Sequence, residues 1–577
     1  MKRLFSIFAI LAFSLVVITS CSETTSEPAK ESAKVATDTE FDLVILNGRV
    51  MDPETEFDAI TNVGILDGKI ALITEEDISG KKTIDATGHV VSPGFIDTHY
   101  HAVDVFATKM ALRDGVTTGM DLELGAFNVK GWYDKKKEAG WQVNYGTTSG
   151  LNLARVAVHD PEVGMSDPVD FSMATPILNK AIEDGVPGYA VTKSSIDQMN
   201  QIMQMIDEDL RQGALGVGAG VAYMARGNTS YELFLAQRAA ANYNRLTSVH
   251  TRYHLNNDTP NEAPIAFDEA FTNAMLLGAP LLMAHDNDYG WWEIEEKLQL
   301  ARDKGLMMWS EYYPYAAGST PVSADFLRPD MWKDKYGYTY ETTLYDPVDD
   351  QYLTDKTYAD LIKSNPGRSV VVFFPYRDKW MPHWLTIPHM TLASDAMAGV
   401  GDDGELLPWD ADYSEYRGHP RTSGTRGKTF RMARENQVPL MFTIAQASYW
   451  VAMHLGETGI ESMKVRGRLQ EGMVADITIF DPETITDNSG FKVGEHGIPT
   501  TGIPYVVVNG VVVVEDNKVL DVKPGKEIRF PIEEKGRFVP ISEEGWLNEH
   551  TIGLHPDLAK IHLDDDGCAT PKSHNHE

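Results

Sequence analysis

The sequence predicts an α/β protein in which a parallel (β/α)8 TIM barrel carries a small β-sandwich domain formed from both chain ends. Eight apolar strand candidates run through the middle of the chain, most of them separated by helix-length segments such as SIDQMNQIMQMIDEDLRQ. Short strands with turn residues stand at both ends instead. The eight candidates are residues 90–99, 115–123, 141–149, 213–223, 246–250, 280–285, 306–313 and 389–395.

The amino-acid composition excludes several classes of protein and of binding site. The chain has 577 residues, of which 42% are hydrophobic and 10% aromatic, so a large core is available and a mostly disordered chain is excluded. Lys and Arg number 51 against 84 Asp and Glu, which gives a formal net charge of −33. We expect no nucleic-acid partner, because contact with phosphate needs positive charge. The two cysteines, Cys21 and Cys568, exclude a disulfide framework and a multi-cysteine zinc cluster.

The first residues have the order of an export signal. Lys2 and Arg3 precede an apolar run that is short for a membrane span, so residues 1–20 are predicted to be a signal peptide. The run ends as ITSC, which resembles the lipobox of bacterial lipoproteins and implies lipidation of Cys21. A plain cleaved signal with a chance cysteine is the alternative. Ser22 resembles the outer-membrane sorting pattern, so we expect an exported protein on the periplasmic face, touching the membrane only through its lipid anchor.

The remaining elements follow in order. Asn47-Gly48, Asp67-Gly68 and Asn509-Gly510 are predicted hairpin turns, because both central residues of such a turn favour positive φ. The long aromatic segment before the eighth strand exceeds one βα connection and is interpreted as an insertion that could form a lid. The predicted boundaries are 21–40 for the lipidated cysteine and tether, 41–92 and 461–525 for the two parts of the sandwich, 93–460 for the barrel with an insertion at about 320–388, and 526–577 for a C-terminal extension.

Ligand-type side chains stand at the ends of five predicted strands. Each histidine alone is more typical of a hydrogen-bonded structural residue, but strand ends of a barrel converge at one mouth. His and carboxylate groups are ligands for zinc or a similar divalent ion, so the set predicts a metal site. The six residues are His99, His101, Glu123, His250, His285 and Asp395.

The run PGFIDTHYH, together with the split β domain and the barrel, resembles the amidohydrolase superfamily of metal-dependent hydrolases. Within it the chain most resembles the D-aminoacylases, the N-acyl-D-amino-acid deacylases. The resemblance covers about residues 41–520. Its markers are GALGVGAGVAY, SVHTRYH, YYPYAAGST, TLASD, GHPRTSGT and GRLQEGMVADITIFDP.

This resemblance implies one or two zinc ions. His99, His101 and Asp395 would bind one metal, and His250 with His285 would bind the other. D-aminoacylases bridge their metals with a cysteine after strand two, where this chain reads MDLELG and offers Glu123 instead. A carbamylated Lys193 is an alternative bridge.

The resemblance also implies substrate contacts at Tyr223, Tyr313, Ser319 and Arg421, near the carboxylate of an acyl amino acid. Arg421 could clamp that carboxylate with two parallel hydrogen bonds. The alternative for the tyrosines is a packed ring with a satisfied hydroxyl. Asn287 replaces a lysine of the family, so the family's side-chain preference is not carried over.

The expected activity is metal-dependent hydrolysis of the amide bond of an N-acyl amino acid, chiefly an N-acyl-D-amino acid, which releases a carboxylate and the free amino acid. The chain would be a hydrolase of linear amides. Asp395 would carry the proton from water to the leaving amine; serving as a metal ligand only is the alternative. The rival functions are another amidohydrolase acting on a cyclic amide or a dipeptide, and a ligand-binding lipoprotein without catalysis.

Overall fold

The computed structural model describes residues 35–165, 168–181, 187–253 and 262–553. The predicted signal peptide, Cys21, most of the predicted tether and Cys568 lie outside these residues. Among the described helices, none is long and apolar enough to cross a membrane.

The strands in chain order are β1 (Glu40–Asp52), β2 (Phe57–Leu66), β3 (Lys69–Thr74), β4 (Ser79–Asp85), β5 (Val90–Pro93), β6 (Phe95–Asp97), β7 (Val116–Ala126), β8 (Asn144–Gly150), β9 (Gly216–Gly220), β10 (Leu246–His250), β11 (Leu281–Met283), β12 (Met308–Tyr312), β13 (Ala317–Pro321), β14 (Leu344–Asp346), β15 (Gln351–Tyr352), β16 (Ser369–Phe373), β17 (Thr391–Leu392), β18 (Ile477–Phe480), β19 (Tyr505–Val508), β20 (Val511–Glu515) and β21 (Lys518–Val519).

The α-helices are α1 (Val105–Arg113), α2 (Val129–Ala139), α3 (Leu151–His159), α4 (Ala174–Ala181), α5 (Gly188–Val191), α6 (Ile196–Arg211), α7 (Ser230–Asn242), α8 (Glu262–Leu277), α9 (Trp291–Asp303), α10 (Tyr340–Thr343), α11 (Asp355–Ser364), α12 (Met381–Trp384), α13 (Arg421–Glu435), α14 (Leu440–Ile444), α15 (Trp450–Glu457) and α16 (Glu543–His550).

An eight-stranded parallel sheet forms the barrel, in the order β6, β7, β8, β9, β10, β11, β12, β17. A parallel bridge between Tyr100 and Ala396 brings the first strand beside the last. The predicted (β/α)8 barrel is therefore confirmed. The glycine-rich sequence of β9 has a steric reason: a Cβ on Gly218 would lie 2.4 Å from the carbonyl oxygen of Glu123. Glycine there lets β9 pack closely against the strand that carries this candidate ligand.

The first predicted strand, residues 90–99, is divided between two sheets. Its first half is β5, which pairs with β1 and β18, and its second half is β6 of the barrel. Gly94 lies at the division, where a Cβ would stand 2.3 Å from the side chain of Thr117. The Pro93-Gly94 dipeptide, a typical turn signal inside this mostly apolar run, marks the change of partner in the sequence.

The sheet domain built from both chain ends is also confirmed. Its strands are joined in one hydrogen-bonded sheet, in which β18 to β21 from the C-terminal part continue through β5 to β1, β2 and β3. β1 is long enough to pair with both β4 and β5 along the same edge. Apolar side chains from both ends share one core, for example Ile45, Val91, Ile477 and Val507.

Two of the three predicted hairpin turns are confirmed. Asp67-Gly68 and Asn509-Gly510 have positive φ at both residues and connect β2 to β3 and β19 to β20. The prediction for Asn47-Gly48 was wrong. Asn47 has a φ of 60° but lies within β1, where the register against β2 shifts between Ile45 and Gly48. Its backbone N–H donates to the side chain of Asn62, so the left-handed residue forms a bulge instead of a turn.

The segment between β12 and β17 is a folded insertion. Four of its strands, β13 to β16, form an antiparallel sheet in the order β13, β16, β14, β15. Trp332, Tyr358 and Val370 belong to its buried core. The insertion therefore has its own packing and brings β13 to the mouth of the barrel.

Candidate metal centre

The first candidate metal position lies between the loop after β6 and the end of the barrel at β17. The Nε2 atoms of His99 and His101 are 3.0 Å apart. The Oδ1 atom of Asp395 lies 3.5 Å from Nε2 of His99 and 3.6 Å from Nε2 of His101. The ligand atoms of these three residues fall within 4.8 Å of one another, so they could share one ion.

Glu123 faces both this group and a second pair of histidines. Its Oε2 atom is 3.1 Å from Nε2 of His99, whereas its Oε1 atom is 2.6 Å from Nδ1 of His250 and 3.6 Å from Nε2 of His285. Glu123 thus directs one oxygen towards each group, as a bridging carboxylate would. Lys193, the alternative bridge, is exposed outside this cluster.

The donor set fits a divalent cation. The Nε2 atoms of His99 and His101 are so close that they cannot both carry a proton that points at the other ring. Buried carboxylates surround the two rings. Burial alone would lower the pKa of His99, but Asp395 and Glu123 raise it well above its ordinary value. Burial alone would raise the pKa of Glu123, but His99 and the neighbouring histidines hold it well below its usual range. The carboxylates therefore favour positive charge here, which a metal ion can supply in place of protons.

Two further carboxylates orient the metal-facing histidines. Glu311, in β12, lies 2.7 Å from Nδ1 of His99 and also accepts a hydrogen bond from Thr98. Asp121, in β7, lies 2.9 Å from Nδ1 of His101. These contacts turn each Nε2 atom towards the site, an arrangement typical of metal-bound histidine. Neither residue was predicted from the sequence, although a carboxylate inside a buried strand was a usable signal.

The backbone at two candidate ligands is strained. Asp395 has a φ of 53° and His285 a φ of 31°, in the region that L-residues rarely adopt. Such a conformation costs about 1–3 kcal/mol and persists where neighbouring contacts impose it. Next to Asp395, Asp97 supplies such contacts, since its Oδ1 atom accepts from the backbone N–H of both His99 and Ser394. Arg426 donates to the other oxygen of Asp97 at 2.7 Å, which ties the two ends of the barrel together.

Arg421 contacts the site directly. Its Nη2 atom lies 2.7 Å from Oδ1 of Asp395, and its guanidinium packs over the ring of Tyr313. The Nε and Nη1 atoms of Arg421 are buried and have no hydrogen-bond partner within the part of the chain that the structure describes. An unused donor such as Nη1, on a buried cation beside a candidate metal ligand, could bind a carboxylate. Nε and Nη1 point to opposite sides of the guanidinium, so the predicted clamp of two parallel hydrogen bonds would need Nη2, which contacts Asp395. The hydroxyl of Tyr313 accepts from Arg377 of the insertion at 2.8 Å.

The other predicted substrate residues lie nearby. The ring of Tyr223 packs against the ring of His250, with centroids 5.1 Å apart. Burial raises the pKa of the Tyr223 hydroxyl well above its ordinary value. Ser319 lies on β13 and, with Tyr223, lines a cavity of about 90 Å³ that also touches Asp395. Asn287 is fully buried and donates to the carbonyl of Tyr313. The structure thus brings all the predicted ligands and substrate residues to one mouth.

Known proteins resemble this chain along most of its length. No family model matches it. A D-aminoacylase of Alcaligenes xylosoxydans xylosoxydans is 23% identical over 520 residues, which cover 82% of this chain and 95% of that protein. A crystal structure of a D-aminoacylase aligns with a TM-score of 0.66 and 20% identity over 85% of this chain and all of that one. The chain has the D-aminoacylase fold.

A second solved structure has this fold. It is an N-acyl-D-glutamate deacylase from Bordetella bronchiseptica in complex with zinc and a phosphonate inhibitor that mimics the tetrahedral intermediate. It aligns with a TM-score of 0.66 and 21% identity over 85% of this chain and all of that one. The resemblance to the D-aminoacylases that the sequence motifs predicted is therefore confirmed.

Proposed function

We propose that this chain is a metal-dependent hydrolase that cleaves the amide bond of N-acyl-D-amino acids, releasing a carboxylate and the free amino acid. The observation that carries the proposal is a six-residue ligand cluster next to Arg421, which contacts Asp395 through Nη2 and whose Nε and Nη1 have no partner among the described residues. The likeness to a D-aminoacylase and to an N-acyl-D-glutamate deacylase supports this substrate class.

The donor set favours one or two zinc ions. His99, His101 and Asp395 would hold the first, His250 and His285 the second, and Glu123 would contact both. When bound, such an ion would supply a water whose pKa is lowered to about 7, and it would polarise the amide carbonyl.

The chain's own residues then have separate tasks. Arg421 binds the substrate carboxylate through its charge and its unused Nη1 donor, which fixes the amide near the ligand cluster. Asp395 lies between Arg421 and the two histidines, so it accepts the proton of the attacking water and returns it to the leaving amine. Glu311 and Asp121 keep the histidine rings in position.

Metal analysis combined with a substrate panel tests this function. We expect about one to two equivalents of zinc per chain and hydrolysis of N-acetyl-D-amino acids with little turnover of the L-isomers. Cyclic amides and dipeptides in the same panel serve as controls. Preferred turnover of either would replace the proposed substrate class, and a folded protein without metal or turnover would favour a ligand-binding role.

We further propose that the protein is exported and anchored through lipidated Cys21 to the periplasmic face of the outer membrane. The sequence ITSC after a short apolar run supports this proposal. The structure does not bear on it, because Cys21 lies outside the described residues. Replacing Cys21 with Ala should move the protein from the membrane fraction to precursor or soluble forms, because acyl chains supply about 0.8 kcal/mol per buried methylene. Fractionation with immunodetection measures this, and an unchanged membrane fraction would reject lipidation.

A further inference from the structure

Arg377 connects the insertion to the mouth of the barrel. It lies in the short 3-10 helix Pro375–Lys379, which follows β16 of the insertion. Its Nε and Nη2 atoms donate to the two carboxylate oxygens of Asp288, at 2.8 and 2.6 Å. Asp288 belongs to the loop after β11 that also carries His285. Both side chains of this pair are buried, so the two parallel hydrogen bonds hold the guanidinium in one orientation.

The third nitrogen of the same guanidinium reaches Tyr313. Nη1 of Arg377 donates to the Tyr313 hydroxyl at 2.8 Å. A guanidinium has no acceptor, so Arg377 cannot receive the single proton of that hydroxyl. Among the described residues, the hydroxyl makes no other hydrogen bond. The proton of Tyr313 is therefore available to a bound ligand.

The Tyr313 hydroxyl and Arg421 border the same gap beside Gly318 of β13. A Cβ on Gly318 would lie 3.4 Å from the hydroxyl oxygen and 3.9 Å from Nη1 of Arg421. The guanidinium of Arg421 also lies over the Tyr313 ring, 4.9 Å from its centroid. A neutral donor and a cationic donor thus face one place, and a carboxylate, which is an acceptor only, suits both.

We propose that Arg377 is a positioning residue for the substrate: by donating to the Tyr313 hydroxyl, it directs the proton of that hydroxyl towards the carboxylate that Arg421 binds. The inference rests on the proposed function, and it gives the insertion a part in substrate binding. Arg377 acts through Tyr313, because Asp288 and Tyr313 together engage all three of its nitrogens. A hydroxyl that accepts from a cation is also a stronger donor, since neighbouring hydrogen bonds polarise one another.

A comparison of two substrates tests this role in the purified full-length protein. One is an N-acetyl-D-amino acid and the other is its carboxamide, which lacks the negative charge. Arg377→Lys keeps a charge opposite Asp288 but lacks the fork needed to reach Tyr313 as well. We expect the ratio of kcat/KM for the acid over the carboxamide to fall about tenfold or more, through a higher KM for the acid with kcat changed by about threefold at most. A general loss of folded protein would lower both rates alike and leave the ratio unchanged.

A double-mutant cycle shows whether Arg377 acts through Tyr313. Tyr313→Phe should lower the same ratio, and adding Arg377→Lys to it should change the ratio by no more than about twofold. If Arg377→Lys does not fold, Arg377→Gln combined with Asp288→Asn removes both buried charges together and should lower the ratio likewise.

Arg466→Lys is the matched control. Arg466 is also buried and bound to an aspartate, Asp476, at 2.9 Å, in the junction between the sheet domain and the barrel. We expect this variant to melt at a lower temperature and to keep the ratio of the wild-type protein.

The outcomes separate the two proposals. An unchanged ratio in Arg377→Lys, or a fall that persists in full when Tyr313 is already Phe, would overturn the positioning role and leave the proposed function intact. A wild-type protein that hydrolyses no N-acyl-D-amino acid would overturn the proposed function and this inference with it.

Discussion

Glu123→Gln should lower kcat for an N-acyl-D-amino acid on the order of 100-fold or more and reduce bound zinc. The substitution keeps the shape of the side chain but removes the charge that lies between His99 and His250. An amide offers one oxygen and one NH2 group, so it cannot present an anionic oxygen to each side. Steady-state kinetics and metal analysis on the same preparation measure both effects.

Glu232→Gln is the matched control for this experiment. Glu232 is another fully buried carboxylate, paired with Arg155 away from the ligand cluster, so its loss tests for general damage from an altered buried charge. We expect this variant to melt at a lower temperature but to keep its zinc and its kcat. Normal zinc and turnover in Glu123→Gln would show that Glu123 is not a ligand. Glu123→Cys would then test the thiolate that D-aminoacylases use.

Asp395→Asn should lower kcat about 10³-fold, within the range that general acid–base groups contribute. Asparagine keeps the size and one oxygen near His99, but it cannot accept the water proton at neutral pH. Arg421, which contacts this side chain at 2.7 Å, keeps its charge in the variant and can still bind the substrate carboxylate, so the KM should change far less than kcat. Kinetics at saturating zinc separate the two roles, because added metal would restore a variant that had lost only a ligand.

Asp476→Asn is the matched control, because it makes the same substitution at a buried carboxylate outside the ligand cluster. Asp476 is buried and bound to Arg466 at 2.9 Å, in the junction between the sheet domain and the barrel. We expect a stability change with kcat preserved. Full recovery of Asp395→Asn by zinc would assign Asp395 to metal binding alone.

The parts of the fold that follow from local pattern were predictable. Eight buried strands alternating with helices indicated the barrel, and ligand-type residues at strand ends indicated the metal centre. The contact partners of individual side chains were not predictable, because they are residues far apart in the sequence. The contact of Arg421 with Asp395 and the support of His99 by Glu311 are of this kind. Asn47-Gly48 shows the same limit locally, since one dipeptide suits both a turn and a bulge.

The sheet shared by the two chain ends has a consequence for the order of folding. β5 pairs with β18 through Val91 and Ile479, so the edge of β5 has no native partner until the ribosome has passed the whole barrel sequence. Contacts this distant close slowly, because the intervening chain must first be ordered. An unpaired edge strand also invites pairing with other chains. A folded barrel therefore brings β5 and β18 closer together than an unfolded chain would. When β18 is synthesised and pairs with β5, the edge of β5 is no longer exposed.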